Sequence, residues 1–139
     1  METEFFLLDT NVVSETTKPR PNEVVVSWLN VWDLSQTYIS VITIGEIRKG
    51  IETCASARKR IEIDHWLDHE LLNEYRSRLL PVDIRVANCW GNIISSRKQL
   101  DPMDALIAAT ALVHDMTLVT RNTKHFRIGN LRLLNPWDA

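Results

Sequence analysis

The chain has 139 residues, 45% of them hydrophobic and 24% charged, and a net charge of −2. This is the size and balance of one soluble domain, residues 1–139, with a core of its own, and it excludes a disordered or low-complexity chain. It also excludes the chain-wide basic charge that announces a nucleic-acid binder, so any such contact must rest on a local patch.

The N-terminal run Phe5–Leu8 lacks alternation and predicts a fully buried strand. It runs directly into Asp9, Thr10 and Asn11. Pro19 and Pro21 break the chain, and Asn22 can cap a helix to about Val31, with Val25, Trp28, Leu29 and Trp32 at helical spacing. Thr37–Ser40 predicts a short strand. A helix follows from about Ile42 to Cys54, and another from about Ser56 to Tyr75. Leu79–Val82 is a second apolar run. Ile84 to about Lys98 and Pro102 to His114 predict helices, Thr117–Thr120 a strand, Thr123–Phe126 a short helical turn, and Leu131–Leu134 a closing strand.

Strands alternating with helices imply an α/β fold with a central, mostly parallel sheet of about five short strands. Sites in such sheets form beyond the carboxyl ends of the strands. The residues after Leu8 and after Val119 therefore matter most.

No apolar run approaches the ~18 residues that a membrane span needs. Glu2 and Glu4 stand where an export signal needs basic residues, so a cytoplasmic location is expected. Cys54 and Cys89 fit no metal spacing and are read as reduced thiols in or near the core.

Three acids have both a structural and a functional reading. Asp9 follows the first strand and could simply start a helix. Glu46 lies off the Ile44/Ile47/Ile51 stripe; it is solvated, closes a capping box with Thr43, or faces a cleft. Asp104 falls three residues past Asp101, a good N-cap followed by Pro102 at the first helical position. Ala105 to Val113 is apolar on every side, so Asp104 stands at the end of a buried helix, where a carboxylate is costly unless paired or metal-bound. If the three helix starts converge, the like charges need a cation. Oxygen-only ligands select a hard ion, Mg²⁺ or Mn²⁺, which binds phosphate oxygens and activates water.

Other features read as ordinary surface or core. His65 and His69 are four apart with no third ligand near, and they sit opposite the Trp66/Leu67 face. Arg58-Lys59-Arg60 faces solvent at a helix start. Trp28 and Trp32 belong to core or interface. Arg121, Lys124, Arg127 and Arg132 cluster near the last strands and offer either a solvated basic edge or phosphate contacts, with Arg121 and Lys124 beside the proposed site. A phosphatase-like aspartyl nucleophile would need an acid two residues beyond Asp9, where Asn11 stands, and a dinucleotide fold would need a G-x-G-x-x-G that the chain lacks.

The segments LLDTNVVSE, ITIGEIRKGIE, MDALIAATALVHDMTLVTRN and LLNPW, in this order and across essentially the whole chain, resemble the PIN-domain ribonuclease toxins of the VapC/FitB type from bacterial toxin–antitoxin modules. The resemblance implies a three-layer α/β/α fold and a Mg²⁺-dependent endoribonuclease with Asp9, Glu46 and Asp104 as catalytic acids. Asp9 and Asp104 would hold the metal, with Mn²⁺ as a substitute. Thr10, Asn11, Thr120 and Asn122 would hold the carboxylates in place. It further implies a homodimer and a cognate antitoxin through which alone DNA is contacted. The apolar faces of helices 22–31 and 42–75 are the expected antitoxin surface. Many such domains carry a fourth acid near the last core strand. Here Asn122 and His125 occupy that segment, which puts a strict two-metal mechanism in doubt and leaves a non-cutting RNA- or partner-binding scaffold as the alternative.

Overall fold

The computed structural model describes residues 4–139; Glu2 lies outside them. The chain runs β1 (Phe6–Leu8), α1 (Thr10–Glu15), α2 (Glu23–Val31), β2 (Thr37–Ser40), α3 (Val41–Thr53), α4 (Ala57–Trp66), α5 (Leu72–Tyr75), β3 (Leu79–Leu80), α6 (Ile84–Ser96), α7 (Pro102–Val113), β4 (Thr117–Val119) and β5 (Leu133–Leu134). The helix expected over residues 56–75 is interrupted by a π-helical stretch, Leu67–Leu71, between α4 and α5.

The five strands form one sheet in the order β3-β2-β1-β4-β5, and every pairing is parallel. The direction of winding reverses at β1, whose neighbours are β2 and β4. Crevices for ligands open at such reversal points, outside the carboxyl ends of the strands.

Strand pleating divides β1 between two cores. Phe6 and Leu8 point to the layer formed by α1 to α5, where they meet Val12, Val25, Trp28, Ile47, Ile51 and Leu67. Leu7 points to the opposite layer of α6 and α7, among Val86, Ile93, Ala105, Ala108 and Leu118. All three strand residues are therefore buried, which explains the missing alternation. The Phe6 ring stands edge-on to Trp28 at 5.2 Å and tilted to Trp32 at 4.6 Å, so both tryptophans are core. Burying each such ring contributes roughly 1.5–3 kcal/mol.

Helix α7 is the innermost helix. Ala105, Ile107, Ala108, Ala109 and Ala111 are all fully buried, and their small side chains let the backbone lie close to the sheet and to α6. Asp101 caps its start by accepting from the Met103 and Asp104 N–H groups at 2.8 and 3.1 Å. At its end, Asp115 takes the left-handed conformation at φ 53°, and the Met116 and Asp115 N–H groups close the turn on the Ala111 and Leu112 carbonyls.

Two sequence expectations change here. Ser40, not Thr43, caps α3, accepting from the Ile42 N–H at 3.0 Å, so Thr43 and Glu46 form no capping box. Arg132 precedes β5 and pairs with Asp115 at 2.9 Å at the amino end of the sheet, so it does not belong with the basic residues beyond β4. His65 and His69 are exposed and lie 4.5 Å apart, as expected of a solvated face. Cys54 and Cys89 are free, partly buried thiols. No helix among the described residues is long and apolar enough to cross a membrane.

Candidate active site

Asp9 leaves the end of β1 with its backbone N–H bonded to the Val119 carbonyl at 2.9 Å, which carries the β1–β4 ladder one step past the strands. Its carboxylate turns inward, only 5% exposed. Oδ1 accepts from the Thr10 N–H at 2.8 Å, which caps α1. Oδ2 accepts from the Thr120 hydroxyl at 2.8 Å and the Asn11 amide at 3.3 Å. Burial still holds this carboxyl above its ordinary pKa, against the pull of the Thr120 and Thr10 donors.

Thr120 stands directly after β4 and ties the two strand ends together. Its oxygen also accepts from the Asn11 amide at 3.3 Å and from the Asn122 N–H at 3.1 Å. Asn11 in turn accepts the Arg121 N–H at 3.3 Å. Asn122 thus acts here through its backbone, while its side chain is on the exposed surface.

Glu46 approaches from α3. Thr10 donates its hydroxyl to Glu46 Oε1 at 2.6 Å, and the same oxygen meets the fully buried Thr43 hydroxyl at 3.0 Å. Of the three readings the sequence left open for Glu46, the cleft is the one realised. Burial raises its pKa first, and the charges of Asp9 and Asp101 raise it further.

Asp104 completes the group from the first turn of α7. Its pKa is pushed up to about 6, first by burial, then by the charges of Asp9, Asp101 and Glu46, with His125 opposing. The three acids expected from the sequence therefore share one electrostatic neighbourhood at the sheet's reversal point. The sequence reading missed the contribution of Asp101, which its capping role had fully explained. The D-x-x-D spacing at one helix start was the signal, since both side chains then lie on the same end of α7.

The arrangement is a set of carboxylate oxygens whose ionised forms destabilise one another, and such a set gains from a hard cation. As the side chains stand, no group of three or more His, Cys, Asp or Glu among the described residues is placed to hold one metal ion. Mg²⁺ fits such a site through one or two carboxylates with water filling the remaining positions. Two cavities flank the acids. One of about 800 Å³ is bounded by Asp101, Asp104, His125 and the α6–α7 loop; the other, of about 480 Å³, by Glu46, Lys49, Asp101 and Met103. Arg121 lies with its guanidinium 5.0 Å above the Trp137 ring, and Lys124 is exposed on the turn after it.

Residues 6–131 match the PIN domain family. The chain belongs to that family. The toxin FitB of Neisseria gonorrhoeae is 38% identical over 135 residues, covering 94% of this PIN domain and 97% of FitB. The VapC ribonuclease Y4jK of Sinorhizobium fredii is 32% identical over 136 residues, covering 95% and 97% of the two chains. The crystal structure of FitAcB from Neisseria gonorrhoeae superposes with a TM-score of 0.90 at 37% identity, over 97% of this PIN domain and 100% of that chain. A structure of FitAB bound to a DNA fragment gives 0.87 at 37% identity, over 96% of each chain. The PIN domain of this chain is thus of the VapC/FitB type, with the expected α/β/α architecture and a sheet that is wholly rather than mostly parallel.

Proposed function

We propose that this PIN domain is a divalent-metal-dependent endoribonuclease and the toxin of a type II toxin–antitoxin module, working in the cytoplasm. The observation that carries the reading is the convergence of Asp9, Glu46 and Asp104, all with raised pKa values, at one end of the sheet. Carboxyls raised by one another and by burial mark functional sites more often than structural ones. The names of relatives, which include ribonucleases and toxins, support the same chemistry.

Asp9 and Asp104 would hold Mg²⁺ or Mn²⁺, the ion supplying charge against the scissile phosphate and an acidified water. Asp9 is fixed for this by Thr10, Asn11 and Thr120. Glu46 has Oε1 engaged by Thr10, and its Oε2 accepts a hydrogen bond from the attacking water and orients it. The water oxygen bonds to phosphorus, the P–O3′ bond breaks, and the strand ends become a 5′-phosphate and a 3′-hydroxyl. Arg121 and Lys124 meet phosphates of the substrate, with Arg121 steadied by Trp137.

A groove of about 220 Å³ between α1, α2 and the α4–α5 arm suits a cognate antitoxin segment. It has Leu8, Val12, Leu29 and Trp66 as apolar walls and Glu70 and Glu74 as acidic groups. Much of the apolar surface expected to face a partner, including Val25, Trp28, Ile47 and Leu71, is core instead, so only this remaining channel and its rim are offered. A homodimer and DNA contact only through the antitoxin complete the reading.

The wider spacing of the acids favours one second reading, a PIN scaffold that binds RNA or a partner without cutting. The deciding experiment is incubation of purified protein with single-stranded RNA and Mg²⁺. Cleavage that stops with EDTA and in Asp9→Asn and Asp104→Asn is expected. Cleavage that survives both changes ends the metal-site reading, and RNA binding without any cleavage selects the scaffold.

A further inference from the structure

We infer that the cavity between the α6–α7 loop and the start of α7 holds a nucleotide of single-stranded RNA beside the one being cut, with its phosphate gripped by Arg97 and Lys98. The inference rests on the ribonuclease reading above.

At about 800 Å³ the cavity falls within the range of roughly 300–1,000 Å³ typical of small-molecule sites. One wall is the edge of the acid cluster, Asp101 and Asp104; the opposite wall is the loop carrying Arg97, Lys98 and Leu100, and His125 closes one side. Arg97 and Lys98 form no ion pair among the described residues, whereas Lys18, Arg48, Arg58, Arg78, Arg85 and Arg132 all do. The loop is also not a free tail. The Arg97 N–H bonds to the Ile93 carbonyl at 3.0 Å, the Leu100 N–H bonds to the Arg97 carbonyl at 3.1 Å, and Asp101 then caps α7.

A polyanion that lays one phosphate on a carboxylate cluster meets repulsion there, which cations on either side offset. Arg121 and Lys124 do not line this cavity. Arg97 and Lys98 therefore form a second basic contact, separate from the first, with the acids beside it. A strand gripped at both is stretched across the cutting point, which fixes the scissile phosphate in register. The His125 ring offers a face for the base and a nitrogen for hydrogen bonding.

The test uses full-length protein carrying Asp9→Asn, so that RNA is bound but not cut, and a fluorescent single-stranded RNA followed by anisotropy across a salt series. Each cation lost from a single-strand contact lowers the slope of log K against log salt by about 0.7. Arg97→Ala/Lys98→Ala should therefore flatten the slope by about 1.4 and weaken binding about tenfold or more at low salt. The exposed pair Arg58→Ala/Lys59→Ala should change neither. Lys98→Glu alone gives the same direction of effect without touching the backbone anchors. In the otherwise wild-type enzyme, Arg97→Ala/Lys98→Ala should raise KM and leave kcat nearly intact. Unchanged affinity and slope in both loop variants overturn the subsite. If the wild type still cuts RNA in that case, the ribonuclease reading stands without it. A parent protein that neither binds nor cuts RNA removes both.

Discussion

Thr10 donates its hydroxyl to Glu46 at 2.6 Å while its backbone N–H donates to Asp9 at 2.8 Å, so one residue ties two catalytic acids from elements 36 positions apart. Thr10→Val keeps the shape and the backbone bond and removes only the hydroxyl. Glu46 then loses its orientation, and groups that orient metal-site or catalytic residues typically count for 10–100-fold in activity. A drop of that size in kcat, with the fold intact by circular dichroism, is expected. Full activity in Thr10→Val would mean that Glu46 has no positional role.

Thr120 supports Asp9 differently, by a hydrogen bond to its charged form at 2.8 Å in a fully buried setting. A donor to a carboxylate lowers its pKa, so Thr120→Val should raise that of Asp9 further. The acidic limb of the pH–rate profile for RNA cleavage should move to higher pH, with the loss of rate greater at pH 6 than at pH 8. A profile that drops uniformly, with its limb unmoved, would assign Thr120 to structure alone.

Asp104 links the site to stability. Its pKa rises from an ordinary 3.8 to about 6 in the folded protein, so between these values the native state binds more protons than the unfolded one. Stability from this group is therefore present at low pH and is lost as pH climbs from about 4 to about 6, staying low above that. Asp104 is partly exposed, and water screens the effect to the order of 1–2 kcal/mol. Asp104→Asn should therefore raise Tm at pH 7.5 in EDTA, by about 3–6 °C per kcal/mol, and have little effect at pH 4.5. A lower Tm at both pH values would show that the carboxylate is stabilising rather than strained.

Two arginines near the chain's end separate contact from scaffold. Arg121 follows β4 and Arg132 precedes β5, so a parallel sheet puts them at opposite ends. Arg121→Ala should weaken RNA binding and flatten its salt dependence by about 0.7. Arg132→Ala breaks the Asp115 pair and should change Tm by up to about 1 kcal/mol of stability with RNA binding unaltered. Equal effects of both on RNA affinity would contradict the placement of the basic contact.

The same pair shows what was legible in the sequence. Cap chemistry and apolar runs are local, so Asn22, Asp101-Pro102 and the buried strand before Asp9 could be read directly. The Thr43-x-x-Glu46 spacing misled because Ser40 caps α3 three residues earlier, and a motif cannot tell which of several hydroxyls takes the cap. Glu46 finds its true partner, Thr10, only through tertiary packing of α1 on α3. Arg132 was grouped with Arg121 by sequence proximity, although the parallel direction of two successive strands already implied opposite ends. The influence of Asp101 on Glu46 and Asp104 was hidden because a satisfied cap looks complete.

The central claim is that the fold gathers Asp9 and Asp104 to bind one divalent ion. Titration of the metal-free protein with Mn²⁺, followed by calorimetry or by the loss of the free-ion resonance signal, tests it most directly. The account predicts about one ion per chain in the wild type, with affinity at least tenfold weaker in both Asp9→Asn and Asp104→Asn. Wild-type Mn²⁺ affinity retained in both variants would contradict it.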